Sequence, residues 1–219
     1  MYPLFALSVG ATPVRAPETE FTVSVDALLS KVSDKTRIVY VANPNNPTGT
    51  MVTSDEMTRL RAGLRDDILL VIDAAYAEYV THNDYAPGVE LVDAGDNVVM
   101  TRTFSKIYAM GGVRLGWAYC PEAVADVLNR IRPPFSVTSG AQAAGIAAVN
   151  DIEFLTRSRD HNTAWQPWLS DRLGEMGLDV VPSSGNFVLV RFPESGPHTA
   201  DAAMAFLTSR GIIPRGTGS

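Results

Sequence analysis

TFSK at residues 103–106, followed by GGVRLGW at residues 111–117, is the stretch from which the rest of the chain can be interpreted. The apolar run 97–100 leads into it and predicts a buried strand that ends in hydroxyl residues and a lysine. Hydroxyl groups and the guanidinium of Arg114 are side chains that can hold a phosphate. Lys106 would lie beside that anion, where an amine can carry out imine chemistry on a carbonyl. Alone, the pattern also fits a lysine that is only a solvated surface charge.

Length and composition favour a globular protein with a substantial core. The 219 residues suffice for one large domain or one and a half smaller ones, and 46% of them are hydrophobic. The net charge of −6 argues against a nucleic-acid-binding face. The single cysteine, Cys120, excludes an intramolecular disulfide and is expected to be buried. The three histidines are scattered, so no metal site is predicted.

The chain carries no recognisable targeting signal. No apolar stretch has the length of a membrane span, and the N-terminus lacks the charged-then-apolar layout of a signal peptide. We therefore expect a cytoplasmic protein without a membrane partner.

Strand and helix patterns alternate through the first part of the chain. The predicted strands are 11–14, 37–42, 68–72, 97–100 and 113–119, and the run 37–42 is typical of a strand covered on both faces. The predicted helices are a segment from Met1 to a stop at Gly10, then 25–32, a helix from a Thr53/Glu56 capping box to about 65, and 121–131 with Pro121 as its first residue. Residues 17–22 are expected to be a polar connection. The alternation predicts an open, mainly parallel α/β sheet with ligand-binding residues at the carboxyl ends of its strands.

The pattern changes after Pro133 and Pro134. Helices are predicted over 140–149, 153–176 and 200–209, the last closed by Gly211, and strands over 185–190 and from 212 to 215. The long amphipathic helix 153–176 could bridge two domains. We therefore predict a large domain over residues 1–150 and a small α+β domain over residues 151–219, which is too small to bury a core by itself.

Polar side chains follow successive predicted strands. Asn46 lies in the loop NPNNPTG (43–49), Asp73 and Tyr76 follow the next strand, and Lys106 follows the third. A protonated pyridine nitrogen requires a carboxylate such as Asp73, a phenolate oxygen on the same ring requires donors such as Asn46 and Tyr76, and an aldehyde requires an amine. A phosphate requires donors, here Thr103, Ser105 and Arg114. These are the groups that pyridoxal phosphate requires of a protein.

Each of these residues also has an ordinary structural explanation. The loop could be a proline-rich turn, Asp73 a helix N-cap, and Tyr76 a core aromatic. Arg114 could pair with a carboxylate. All of these explanations would have to coincide at successive strand ends, so we favour the cofactor site.

Five motifs together resemble the class I/II group of fold-type I pyridoxal-phosphate-dependent aminotransferases. They are NPNNPTG (43–49), DAAYAEY (73–79), TFSK (103–106), the arginine at 114 and GNF (185–187). Within that group the chain is most similar to the histidinol-phosphate aminotransferase family. The resemblance covers the middle and most of the carboxyl-terminal part of the family. The family's N-terminal segment and its final strand, which carries a second substrate-binding arginine, have no counterpart here, so we expect a fragment truncated at both ends.

The resemblance implies a role for each matching residue. Lys106 would form a Schiff base with the cofactor and move the proton at the substrate's α-carbon. Asp73 would hold the ring nitrogen, and Asn46 and Tyr76 the ring hydroxyl. The cofactor phosphate would be bound by Thr103, Ser105 and Arg114. Arg215 would bind the anionic end of the substrate, with Asn186 as a second substrate-binding candidate.

The implied reaction transfers an amino group from histidinol phosphate to 2-oxoglutarate, giving imidazole acetol phosphate and glutamate in histidine biosynthesis. The alternatives are an aromatic amino acid aminotransferase, a phosphothreonine decarboxylase of the same fold, and a non-catalytic remnant. The family also implies a homodimer for the complete protein.

Overall fold

The computed structural model describes residues 2–217, so Met1, where the predicted first helix begins, and residues 218–219 of the predicted small domain lie outside the described residues. The first part of the chain contains five helices and six strands among these residues. The helices are α1 (Tyr2–Ser8), α2 (Val25–Ser30), α3 (Ser54–Gly63), α4 (Val89–Asp93) and α5 (Glu122–Ile131). The strands are β1 (Glu18–Thr19), β2 (Thr22–Val23), β3 (Ile38–Ala42), β4 (Leu69–Asp73), β5 (Val98–Thr103) and β6 (Gly116–Tyr119). A 3-10 turn, Ala77–Tyr79, follows β4.

The remaining described residues form α6 (Ser139–Asn150), α7 (Ile152–Glu175), β7 (Asp179–Val181), β8 (Leu189–Arg191) and α8 (Ala200–Ser209). β7 and β8 form a separate antiparallel pair. The predicted division at residue 150 falls where α6 gives way to α7, and it stays a prediction. No helix within residues 2–217 is long and apolar enough to cross a membrane.

The main sheet has the strand order β3-β4-β5-β6. β3, β4 and β5 are parallel, which confirms the predicted mainly parallel α/β sheet, and Ala42, Asp73 and Thr101 lie opposite one another at its edge. β6 is antiparallel to β5, because the segment between them returns without a crossover helix. The carboxyl ends of the three parallel strands therefore bring their loops together at one edge.

The core lies against β4 and β5. Leu70 and Ile72 on β4 and Met100 on β5 are at most 1% exposed, and they pack with Leu60 of α3 and Ile68. Burying one such side chain stabilises the fold by about 1.5–3 kcal/mol. The prediction that 37–42 is covered on both faces is wrong: burial alternates along β3, so Val39 and Val41 are buried on one face while Ile38 and Tyr40 on the other are 46% and 43% exposed.

Several other predicted elements differ from the structure. Residues 11–14 and 212–215 form no strand, because a strand needs a hydrogen-bonded neighbour and neither segment has one among the described residues. Residues 17–22, predicted as a connection, contribute to the β1–β2 hairpin, and the strand predicted at 185–190 is confined to β8. α4 and β7 were not predicted. These elements are short, and periodicity is a weak signal over so few residues.

The predicted helix ends are only partly correct. Thr53 caps α3 through a hydrogen bond from the Glu56 amide, but the Glu56 side chain pairs with Arg59 instead of closing the capping box. Pro121 is the N-cap of α5 and not its first residue. Gly211, with a φ of 78°, closes α8 as predicted, because its left-handed backbone lets Ile212 donate to the Leu207 carbonyl. Cys120 is half-buried, not fully buried as expected.

Candidate active site

The NPNNPTG loop that follows β3 is held by hydrogen bonds between its first residue and the backbone just after the loop. Asn43 is 1% exposed, and its side chain both donates to the Val52 carbonyl and accepts from the Val52 amide, each at 2.9 Å. The Asn43 side-chain amide thus makes the two hydrogen bonds with the Val52 backbone that a neighbouring strand would otherwise make. The loop presents Asn46 at its exposed tip, where Asn46 Nδ2 donates to Tyr76 Oη at 2.6 Å. The structure therefore brings these two predicted residues together.

The same loop is pressed against the segment between β7 and β8. Gly49 has a φ of 81°, and the Ser184 amide donates to its carbonyl at 2.7 Å. A Cβ at Gly49 would lie 2.6 Å from Cβ and 3.0 Å from Cα of Ser183. Only glycine permits this approach, which ties the Asn46 loop to the carboxyl-terminal part of the chain.

Asp73 lies at the end of β4 and is held by two donors. Its Oδ1 accepts from the Ala75 amide at 3.2 Å, and its Oδ2 accepts from Tyr2 Oη at 2.6 Å. The Tyr2 ring stacks on Tyr40, with the ring centroids 5.1 Å apart. Burial, and secondly the hydrogen bond to Asp73, raise the pKa of Tyr2 well above its usual range. The carboxylate is thus oriented and still has free lone pairs for a ligand.

Lys106 lies beyond β5 against an aromatic cluster. Its Nζ is 5.0 Å from the centroid of the Tyr76 ring, a cation–π distance, and Phe187 packs edge-on against the same ring at 5.2 Å. Tyr76, Tyr79 and Ile107 form the buried centre of this cluster. The amine is thereby directed toward the residues that follow β4, as the sequence predicts.

The predicted phosphate-binding residues lie next to one another in the structure. Arg114 Nη1 lies 3.3 Å from Ser105 Oγ and donates to the Gly111 carbonyl at 2.6 Å, and the guanidinium remains exposed. Thr103 Oγ1 accepts from the Ser105 amide at 3.0 Å, so it shapes the turn that presents Ser105. Hydroxyl and guanidinium donors therefore converge, as an anion requires.

The two substrate-binding candidates are placed differently. Asn186 lines the same cleft as Tyr79; burial raises the pKa of Tyr79, and the nearby Asn186 side chain opposes this rise only in part. Arg215 lies on the exposed, irregular segment after α8, away from any helix or strand. The structure thus joins Asn186 to the aromatic cluster, and the role of Arg215 stays a prediction.

A cleft of about 550 Å³ lies beside Lys106. Its lining includes Tyr79, Lys106 and Asn186 together with Arg157 and His161 of α7. The α7 residues were not predicted to face the site, because a helical face cannot be assigned to a particular neighbour from spacing alone. Tyr2 was also missed, since nothing near it in the sequence indicates a contact with Asp73.

The side chains at this edge fit pyridoxal phosphate. A carboxylate with free lone pairs suits a pyridinium, and the Asn46–Tyr76 pair suits a ring oxygen. Ser105 and Arg114 suit a phosphate, and Lys106 suits an aldehyde. These chemical requirements are met by residues from three successive strand ends of one sheet.

The fold is that of the fold-type I pyridoxal-phosphate-dependent transferases. The chain belongs to the class I and II aminotransferase family, whose sequence model matches residues 1–215. It is 60% identical over 218 residues to a histidinol-phosphate aminotransferase of Paramagnetospirillum magneticum, and 58% identical over 219 residues to one of Rhodospirillum centenum. The alignments cover 100% of this chain and 60% of each relative, so the chain spans about 60% of their length.

Solved structures share the fold. A histidinol-phosphate aminotransferase of Sinorhizobium meliloti, solved in complex with pyridoxal-5′-phosphate, matches with a TM-score of 0.89 and 28% identity, over 100% of this chain and 59% of that one. A putative histidinol-phosphate aminotransferase of Erwinia carotovora matches with a TM-score of 0.89 and 26% identity, over 96% of this chain and 61% of that one.

Proposed function

We propose that the complete protein catalyses transamination between histidinol phosphate and 2-oxoglutarate, which yields imidazole acetol phosphate and glutamate in histidine biosynthesis. Pyridoxal phosphate is the proposed cofactor. The observation that carries the proposal is the convergence of Asn46, Asp73, Tyr76 and Lys106 at one edge of the sheet. The choice of substrate is supported by the 60% identity to a histidinol-phosphate aminotransferase.

Each residue has a proposed part in holding the cofactor. Asp73 holds the ring nitrogen, Asn46 and Tyr76 hold the ring oxygen, and Ser105 with Arg114 holds the phosphate, in a corner shaped by Thr103. When bound, pyridoxal phosphate supplies an aldehyde and a protonated ring that withdraws electrons.

The chain's own groups then act on the substrate. The Lys106 amine would accept the proton that leaves the substrate's α-carbon and later return it as a general acid, while bound pyridoxal phosphate would supply the electron-withdrawing ring. Asn186 lies at the cleft beside Tyr79, where it binds substrate. Arg215 is proposed to bind the substrate phosphate, because its planar guanidinium suits that group.

The proposal is tested with the complete gene product, purified and incubated with pyridoxal phosphate. Borohydride should fix the cofactor to Lys106, detected by absorbance and by peptide mapping, and Lys106→Ala should abolish the adduct. Lys35→Ala is the matched control, because Lys35 is exposed and lies outside the predicted site. No adduct in the unmodified protein would overturn the cofactor site.

Substrates then distinguish the candidate reactions. Histidinol phosphate with 2-oxoglutarate should give glutamate faster than phenylalanine does under the same conditions. Faster turnover of phenylalanine would favour an aromatic aminotransferase, and release of carbon dioxide from phosphothreonine would favour a decarboxylase. An adduct without turnover of any of these would favour a non-catalytic remnant.

We also propose that the complete protein is a homodimer. Apolar side chains that remain exposed support this, among them Phe135 at 97%, Ile131 at 71% and Ile146 at 68%. Light scattering should give twice the chain mass, and Phe135→Asp should shift it toward the monomer. A monomer at all concentrations would contradict the proposal. The cytoplasmic location stays a prediction.

A further inference from the structure

One buried ion pair lies outside the groups assigned to the cofactor. Arg102 Nη1 lies 2.7 Å from Glu78 Oε1, and the two side chains are only 15% and 12% exposed. In every other ion pair among residues 2–217, at least one partner is 45% exposed or more. The pair is therefore exceptional in being withdrawn from water on both sides.

The pair joins the two segments that carry the site. Glu78 lies in the 3-10 turn directly after Tyr76, and Arg102 precedes TFSK on β5. The ladder between β4 and β5 ends where the Ala74 amide donates to the Thr101 carbonyl at 2.9 Å. Beyond that point, the Glu78–Arg102 pair is the only ion pair or hydrogen bond among the described residues that connects 75–79 with 102–106.

Net stability is a weak explanation for this pair. The Arg102 guanidinium lies 5.8 Å over the Trp117 ring of β6, and its Nε is buried without a hydrogen-bond partner within residues 2–217. The charges of Glu78 and Arg102 both affect the pKa values of Tyr85 and Tyr108, so these two rings lie near the pair. Removing two charges from water into largely aromatic surroundings offsets most of their attraction. An ion pair with its charged atoms 2.7 Å apart does, however, hold two particular groups at one short distance, which non-directional apolar contacts do not.

We infer that the Glu78–Arg102 ion pair positions the Tyr76 turn against the Lys106 segment and thereby sets the affinity of the site for pyridoxal phosphate. The contact that it controls is the one between Lys106 Nζ and the Tyr76 ring, 5.0 Å apart. Both are positioning residues, because they act through Tyr76 and Lys106. The inference rests on the proposed cofactor site.

The test separates positioning from stability by replacing the two residues singly and together with methionine, in the complete protein. Glu78→Met or Arg102→Met alone leaves a buried charge unpaired, so the urea midpoint of unfolding should fall. The double variant has no unpaired charge, and its thioethers can pack on Trp117 and Tyr85, so its midpoint should return close to that of the unmodified protein.

Cofactor binding by the double variant should not recover together with its unfolding midpoint. We expect the double variant to bind pyridoxal phosphate roughly tenfold more weakly by tryptophan fluorescence, with a shifted absorbance maximum for the Lys106 adduct. Arg102→Lys keeps a cation within reach of Glu78, so it should stay within about threefold of the unmodified Kd. The matched control replaces Arg172 and Glu175 of α7 with methionine, because that pair is exposed on both sides at 59% and 62%.

Two results would overturn the inference. The first is a folded double variant with unchanged Kd and spectrum. The second, which decides the matter if the double variant does not fold, is an Arg102→Lys variant that loses as much affinity as Arg102→Met. A missing borohydride adduct in the unmodified protein is a different failure, since it removes the cofactor site itself and the inference with it.

Discussion

Replacing Gly49 with alanine tests whether the Asn46 loop depends on its contact with the carboxyl-terminal part of the chain. Gly49 has a φ of 81°, and an added Cβ would lie 2.6 Å from Cβ and 3.0 Å from Cα of Ser183. Because one of these atoms belongs to the backbone, a side-chain rotation cannot relieve the clash. The segment would have to move, and the hydrogen bond from the Ser184 amide to the Gly49 carbonyl would lengthen.

The expected decrease in the free energy of unfolding of Gly49→Ala has three contributions. A left-handed alanine costs about 1–2 kcal/mol. The overpacking against Ser183 adds about 1–3 kcal/mol, and the weakened hydrogen bond about 1 kcal/mol. Gly177 is a matched control, because its φ is 80° and nothing lies within 4 Å of an added Cβ. Gly177→Ala should therefore lose the backbone part alone, about 1–2 kcal/mol.

The assay is urea unfolding of both variants, with the slope of the transition compared to the unmodified protein. Gly49→Ala should be less stable than Gly177→Ala by about 2–4 kcal/mol. It should also bind pyridoxal phosphate more weakly, since the loop that presents Asn46 is displaced. Equal losses for the two variants would refute the argument, because the contact with Ser183 would then impose no constraint.

Three further predictions concern groups that support the site. Tyr2→Phe removes a hydrogen-bond donor from Asp73 and should lower the free energy of unfolding, measured by urea titration, by about 1.5–3 kcal/mol. The control Tyr119→Phe removes an exposed hydrogen bond to Asp93 and should lower that free energy much less. Equal losses in the two variants would contradict a special role for Tyr2. Asn43→Ala leaves the Val52 amide and carbonyl unpaired and should lose about 2–4 kcal/mol, and a loss below about 1 kcal/mol would mean that water replaces the side chain. Burial raises the pKa of several tyrosines above the value of about 10 that tyrosine has in an unfolded chain. As the pH rises above about 10, these tyrosines therefore lose their protons in the unfolded state before they do so in the folded state. The free energy of unfolding should fall as a result. Urea midpoints measured from about pH 8 to 11 should show this fall, and Tyr2→Phe should make it shallower; an unchanged slope would show that Tyr2 does not contribute.

Much of the fold was accessible from local patterns. The apolar runs of β3, β4 and β5 predicted three strands, and the strand–helix alternation predicted a parallel sheet with polar residues at its carboxyl edge. α2, α3 and α8 lie where their apolar spacing and caps place them. These predictions succeed because a strand period, a cap and a glycine stop are properties of adjacent residues.

The residue types of the candidate site could also be predicted, because its motifs contain the side chains that one cofactor requires. Asn46 and Tyr76 do meet, as do Ser105 and Arg114. Tyr2 was missed because its partner lies 71 residues away.

What the sequence determined by itself is the order of the elements and the kind of chemistry that the loops can support. Only the tertiary structure decided which distant groups meet: Tyr2 with Asp73, Glu78 with Arg102, and Gly49 with Ser183. It also decided that residues 11–14 form no strand, since a strand exists only where a neighbour accepts and donates its hydrogen bonds. Local periodicity reflects the conformation of a segment, whereas its partners depend on register and packing across the whole chain.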